Sequence, residues 1–162
     1  ITLGLEMTYT LEYKSDDFVD INGALLAPGG DFAGLLNDGT NPFQSLPELK
    51  GNVWVKYTIG EHRFNVVARY VSSYDDADTT FNNPASDLAR FAPQLAKIDD
   101  QVTFDMHYNT TLYEDFFVSL SLINITDEDP PQAATDLNYD PYTHNPFGRM
   151  IKLGVRYSLG GN

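Results

Sequence analysis

Residues 49–71 read LKGNVWVKYTIGEHRFNVVARYV, and this stretch decides the fold because apolar residues recur at every second position. Val53 and Val55 alternate with mostly polar neighbours, and the alternation resumes at Phe64 after a break at Gly60. A period of two places alternate side chains on one face of a β-strand, whereas a helical period would mix the two sets. The stretch therefore predicts two antiparallel strands joined by a tight turn.

The same alternation occurs along the rest of the chain. It predicts six strands, at about residues 1–14, 49–59, 62–73, 101–112, 116–125 and 148–159. Strands of about 9–11 residues are long enough to cross a bilayer when tilted. The connections at 60–62 and 113–115 are short, while those at 15–48, 73–100 and 126–146 are long and polar. Short turns at one end of a sheet and long loops at the other are typical of outer-membrane β-barrels.

The two faces of the predicted sheet differ in chemistry. The apolar face carries aromatic residues near both ends of the strands, namely Tyr57, Phe64, Phe116 and Tyr157 near the short turns and Tyr13, Tyr70, Tyr74 and Phe104 near the long loops. Two aromatic belts around an aliphatic middle are typical of lipid interfaces. The opposite face carries Glu6, Glu12, Lys56, Arg69, Asp105, His107, Lys152 and Arg156. Because unpaired charge is costly in a dry core, we expect this face to line a wet lumen.

Composition excludes several classes of function. The chain of 162 residues has 10 Lys+Arg against 23 Asp+Glu, a formal net charge of -13, and no Cys. A nucleic-acid partner is not expected, because phosphate contacts need clustered Lys and Arg. The absence of Cys excludes a disulfide framework, a thiolate metal site and a cysteine nucleophile.

Candidate metal and catalytic residues are few, and we expect no enzyme, no metal and no cofactor. The segment 16–38 holds oxygen-bearing residues that could bind Ca²⁺, namely Asp16, Asp17, Asp20, Asn22, Asp31, Asn37 and Asp38. It lacks an ordered calcium loop with a closing Glu, which favours turn chemistry. His62, His107 and His144 belong to a short turn, a strand and a long loop, too far apart for one site. Ser119 and Ser121 have no neighbouring base.

Ligand contacts, if this part of the protein makes them, are expected in the long loops. Aromatic rings there suit stacking on a sugar or an iron chelate. The candidate ligand-binding residues are Phe18, Phe32, Phe43, Phe81, Phe91, Tyr139 and Tyr142.

The C-terminal third has a recognisable order of motifs. Its residues are Asn124, Asp127, Pro130, Pro131, Tyr139, Asp140, Pro141, Gly148 and Arg149. This order resembles the end of TonB-dependent outer-membrane receptors, which have an Asn-Leu-x-Asp-x-x-Pro-Pro turn, a Tyr-Asp-Pro segment and a Gly-Arg pair before the closing strand. Ile125 stands where that family usually has Leu, and Leu159 with three further residues replaces its usual terminal aromatic.

The resemblance implies an antiparallel, up-and-down transmembrane β-barrel of 22 strands, in which residues 1–162 supply the last six. The plug domain, the remainder of the barrel and the segment that contacts TonB would then lie N-terminal to Ile1. It also implies TonB-coupled active import of a scarce small-molecule ligand, such as a siderophore, cobalamin or an oligosaccharide. The expected location is the outer membrane of a Gram-negative bacterium, where lipid would contact the barrel.

Two other interpretations remain open at the level of sequence. A passive pore or an adhesin would share the barrel but would have no plug. A soluble β-sandwich that binds carbohydrate would also alternate, with its apolar face covered by a second sheet.

Overall fold

A computed structural model describes residues 1–27, 29–36, 45–76, 92–113 and 115–159. The described residues form an all-β structure. Its strands are β1 (Thr2–Tyr9), β2 (Lys14–Ser15), β3 (Phe18–Val19), β4 (Leu25–Ala27), β5 (Gly30–Asp31), β6 (Leu35–Leu36), β7 (Leu49–Ile59), β8 (His62–Val71), β9 (Tyr74–Asp76), β10 (Lys97–Ile98), β11 (Gln101–Leu112), β12 (Phe116–Ile123) and β13 (Met150–Tyr157). A short 3₁₀ helix, η1 (Pro93–Ala96), precedes β10. No helix in these ranges is long and apolar enough to span a membrane.

The main sheet has six strands in the order β1-β7-β8-β11-β12-β13, and every neighbouring pair is antiparallel. Apart from the short strands within the long loops, each strand lies beside the next one in sequence, so the sheet is an up-and-down meander. The prediction of an all-β, antiparallel architecture is confirmed. Over the described ranges the sheet is open, with β1 and β13 at its edges.

The strand register places the predicted apolar residues on one face. A single row crosses the sheet through Leu3, Val55, Val66, Met106, Leu122 and Ile151. A one-residue slip in any pair would move that strand's apolar residues to the opposite face. At the two edges this row is open, since Leu3 is 71% and Ile151 is 70% exposed.

The buried apolar cluster lies at the long-loop end of the sheet and does not cover the apolar face. Among the described residues it comprises Leu36, Tyr74, Ile98 and Ala133, with Val71 packed against it. A small sheet brings three of these residues together, because β10 pairs with β9 and β6 runs parallel to β9 on the other side. The loops therefore have their own core.

Two expectations from the sequence need correction. The first strand ends at Tyr9 and does not continue to residue 14, because its partner β7 begins at Leu49, two residues after Pro47. Proline has no N–H to extend the ladder. Tyr74 does not belong to an aromatic belt, because it is 2% exposed within the loop cluster.

At the short-turn end, aromatic residues of the apolar face form two groups. Tyr57 pairs with Phe64 across β7 and β8, and the Phe64 ring lies 4.8 Å from that of Tyr108 on β11. Phe116 pairs with Tyr157 at the same end. Aromatic rings as close as those of Phe64 and Tyr108 stabilise one another beyond the effect of the area that they bury.

Candidate functional site

The face opposite the apolar row carries every Lys, Arg, Asp and Glu of the six long strands, and we call it the polar face. Its cationic residues are Lys50, Lys56, Arg63, Arg69, Lys152 and Arg156, and its carboxylates are Glu6 and Asp105. These strand residues sum to a net charge of +4, six cations against two carboxylates, in a chain with a formal net charge of -13. Charge is therefore segregated by face.

Charge also varies along the polar face. Arg69 and the two carboxylates lie toward the long loops, with Glu6 in register with Asn52 and Asn52 with Arg69. The half toward the short turns carries Lys56, Arg63, His107, Lys152 and Arg156. No strand carboxylate lies in that half, so we call it the basic half.

A cavity of about 410 Å³ opens in the basic half. Its polar lining comes from four strands and consists of Lys56, Thr58, Arg63, Asn65, His107, Asn109 and Ser121. His107 Nδ1 lies 2.9 Å from the Ser121 hydroxyl, so the expectation that Ser121 has no neighbouring base is wrong. Within the described ranges neither Lys56 nor Arg63 forms an ion pair. The cavity combines cationic groups with neutral hydrogen-bonding groups.

One ion pair on the polar face ties the sheet to the C-terminal connection. Arg69 on β8 donates to Asp105 Oδ2 on β11 from Nε at 2.9 Å and from its terminal nitrogen at 2.8 Å. The other oxygen, Oδ1, accepts the backbone N–H of Asn124 at 3.0 Å. Asp105 is 3% exposed, and both of its carboxylate oxygens have hydrogen-bond partners, as buried polar groups generally do.

The motif residues of the C-terminal third form a defined connection. Asn124 has a φ of 52°, and its side chain both donates to and accepts from the backbone of Glu128. Asp127 Oδ1 accepts the backbone N–H of Arg149, the residue before β13. At Gly148 a Cβ would lie 2.6 Å from that same Oδ1. The Asn, Asp and Gly of the motif thus act together to place β13 beside β12.

A buried polar network lies under the same connection. The Tyr74 hydroxyl donates to Asp140 Oδ2 at 2.7 Å and lies 3.0 Å from His144 Nε2. His144 Nδ1 lies 2.8 Å from Gln101 Oε1, and the Gln101 amide donates to the backbone carbonyl of Asp129. Asp140 is fully buried, and His144 is 4% exposed. The network links three separate segments of the chain.

Burial and these contacts shift the ionisation of the network. Burial raises the pKa of the Tyr74 hydroxyl, and the hydrogen bond to Asp140 raises it further. Burial alone would raise the pKa of Asp140, but hydrogen bonds from the Tyr74 hydroxyl and from the backbone N–H of Tyr142 help to lower it. Burial lowers the pKa of His144, against the attraction of Asp140.

The predicted loop aromatics are not gathered into one site. Phe43, Phe81 and Phe91 lie outside the described residues. Phe18 is 65% and Tyr142 is 68% exposed, while Phe32 and Tyr139 are half-buried. Tyr142 alone of the four described rings lines a second cavity of about 410 Å³, beside Leu36, Leu137 and Asp140.

Three aspartates of the segment 16–38, for which the sequence favoured turn chemistry over calcium, accept backbone N–H groups. Asp20 accepts N–H groups of Asn22 and Ala24, Asp17 accepts that of Gly29, and Asp31 accepts those of Tyr13 and Ala33. Asn37 and Asp38 lie outside the described ranges. Where the structure describes the chain, no three His, Asp or Glu residues are placed to hold a metal ion. His62 opens β8 and contacts the Tyr108 hydroxyl at 2.7 Å.

Sequence reasoning missed two features of this site. The network of Tyr74, Asp140, His144 and Gln101 joins residues up to 70 positions apart, which no local pattern reveals. The basic half could have been predicted from the sequence, because Lys56, His107 and Lys152 lie on the same face of strands whose order was predicted. No protein-family model, curated protein or solved structure matches the chain.

Proposed function

We propose that the chain is the C-terminal barrel part of a TonB-dependent outer-membrane receptor that imports a scarce small molecule. The observation that carries this proposal is the open apolar face. Six strands present one continuous apolar row, and the buried apolar cluster of the described residues lies elsewhere, in the loops. A sheet face of this kind is stable where lipid covers it.

Two further observations support the proposal. Backbone groups at the edges β1 and β13 need partners in a bilayer, which strands from a larger barrel would supply. The contacts of Asn124, Asp127 and Gly148 explain why a motif that resembles the end of these receptors would be needed here to set the path of the chain. Transport, the plug and TonB coupling belong to the proposal and follow from the resemblance.

A soluble carbohydrate-binding sandwich is the weaker alternative, because no second sheet covers the apolar face among the described strands. A passive pore or an adhesin would share the same barrel wall. These alternatives differ from a TonB-dependent receptor in solubility, conductance and TonB binding.

The experiment uses the full-length protein reconstituted into planar lipid bilayers, together with the purified periplasmic domain of TonB. A plugged receptor inserts, shows no steady conductance and binds the TonB domain. Steady conductance without TonB binding would identify a passive pore. An adhesin would insert without TonB binding, and a sandwich would stay in the aqueous fraction, so either result would overturn the proposal.

A further inference from the structure

We propose that the ion pair of Arg69 and Asp105 is a latch that holds the C-terminal connection, residues 124–149, against the polar face. The latch opens when another acidic group draws Arg69 away from Asp105, and the connection then loosens together with the other long loops. Such a device works whether or not the protein transports a ligand, because it involves only the sheet and its own connections.

The C-terminal connection lies over the polar face at the long-loop end of the sheet. The two face each other across a cavity of about 170 Å³. Its lining includes Arg69 and Thr103 from the strands, and Thr143, Asn145 and Phe147 from the connection. A change in the position of the Arg69 side chain therefore occurs directly beside the connection.

Strand β11 holds the connection at two points on this face. Asp105 Oδ1 accepts the backbone N–H of Asn124 at 3.0 Å, and the Gln101 amide donates to the backbone carbonyl of Asp129 at 3.0 Å. A turn joins the two points, in which the Asn124 side chain bonds both the N–H and the carbonyl of Glu128. Because this turn is closed by side-chain hydrogen bonds, release of the first point weakens the second.

The second point leads to the other long loops. Gln101 Oε1 lies 2.8 Å from His144 Nδ1, and His144 Nε2 lies 3.0 Å from the Tyr74 hydroxyl. Tyr74 begins β9, which pairs with β6 of the first long connection. Groups that are buried together tend to open as one cooperative unit. Loosening at Asn124 is therefore expected to reach all three long connections.

The two partners of the latch differ in burial. The Arg69 side chain is 51% exposed, whereas that of Asp105 is 5% exposed. Arg69 contacts Asp105 Oδ2 through both Nε, at 2.9 Å, and its terminal nitrogen, at 2.8 Å. Water can solvate a half-exposed guanidinium that leaves, but a buried carboxylate without its cation is costly. If Arg69 moves away, water reaches Asp105 most readily when the connection lifts from the polar face.

The position beside Arg69 can admit a rival carboxylate. In register, Arg69 lies between Asn52 of β7 and Thr103 of β11, both of which are neutral. The Cβ atoms of such cross-strand partners are about 4.5–5.5 Å apart, within reach of a guanidinium group. Glu6 lies one strand beyond Asn52, at about 10 Å from Arg69. A carboxylate that arrives in this row on the polar face would therefore compete with Asp105.

Hydrogen exchange of the full-length protein in detergent, measured by mass spectrometry, tests the latch. Arg69→Gln leaves Asp105 without its cation and should accelerate exchange in residues 124–149 and in β9 by about ten- to hundredfold. Asp105→Asn alone should stay within about threefold of wild type, because half-exposed Arg69 can be solvated. The matched control is Arg156→Gln on the same face, which loses a ring contact and should stay within about twofold.

Two further variants separate a charge latch from a general structural role. Arg69→Gln/Asp105→Asn should return exchange to within about threefold of wild type, because the amide at 105 still accepts the Asn124 N–H and leaves no buried charge. Asn52→Asp places a rival carboxylate beside Arg69 and should accelerate exchange about threefold. Asn65→Asp adds the same charge to the polar face away from Arg69, beside Lys56, and should have no such effect.

Equal exchange in Arg69→Gln and Arg156→Gln would overturn the inference. So would a failure of the Asp105→Asn change to restore the Arg69→Gln protein, because a packing defect is not cured by removing a charge. If Arg69→Gln fails to fold, the comparison of Asn52→Asp with Asn65→Asp decides, and equal exchange in these two contradicts the latch. Acceleration confined to Asn124, with β9 unchanged, would contradict the link to the other loops.

Discussion

At the scale of single residues, the C-terminal connection is held by contacts that leave little room. Asp127 Oδ1 accepts the N–H of Arg149, and Gly148 passes so close to this oxygen that a side chain would displace it. Asn124 takes a left-handed conformation, which Asn tolerates better than most residues. These contacts indicate that the motif fixes the path of the chain between β12 and β13.

Gly148→Ala is expected to destabilise the protein by about 0.5–1.5 kcal/mol, the net worth of one hydrogen bond, because the Asp127 carboxylate must turn away and release the N–H of Arg149. Its new Cβ would lie 2.6 Å from Asp127 Oδ1. Gly30→Ala is the matched control, because its Cβ would meet nothing closer than 4.0 Å. Thermal unfolding of the two variants in detergent measures the difference, and equal midpoints would contradict the account.

The buried network predicts a pH window for loop stability. His144 and Asp140 have lowered pKa values, so the unfolded chain binds more protons and stability falls with acid, first below the ordinary His value of 6.5. Tyr74 has a raised pKa, so stability falls above its ordinary value of 10.0. The protection factors of residues 129–144, which are hydrogen-exchange rates corrected for the intrinsic pH dependence of exchange, should be highest between these values. In the His144→Gln variant, the loss of loop stability between pH 7 and pH 5 should disappear. An unchanged dependence of loop stability on pH would exclude His144 as the cause of that loss.

At the scale of elements, the strands were predictable and the loops were not. Alternation around Val55 and Phe64 fixes which side chains share a face, because the period of a strand is two. The predicted first strand extended past the observed end of β1 at Tyr9. Leu11 and Tyr13 continue the alternation after the partner strand has ended near Pro47. Pairing partners, and not local pattern, decide where a strand stops.

Leu153→Arg is expected to cost about 2–4 kcal/mol if the apolar face meets hydrocarbon near the bilayer midplane. Leu153 is 71% exposed in the chain, so the same change in a water-exposed sheet would cost little. Ser119→Arg on the facing strand is the control, since it points to the polar face above Gly154. Refolding titrations into lipid vesicles measure both variants, and equal stabilities would contradict lipid contact.

At the scale of the whole molecule, segregation of charge is the organising feature. Every charged residue of the six long strands lies on one face, while the loops hold the buried cluster around Tyr74 and Ile98. The sequence predicted the two faces, because parity is local. It did not predict the loop core or the cavity near Arg63, because these depend on contacts between distant segments.

The most direct test of the account is spin labelling of single-cysteine variants along β7 and β8 in lipid vesicles. The chain has no native Cys to interfere. Labels at Val53, Val55 and Val66 should be accessible to oxygen, which partitions into hydrocarbon, and labels at Asn52 and Asn65 should be accessible to a water-soluble nickel chelate. Access of the chelate to both sets, or shielding of the valine set from both reagents, would contradict the account.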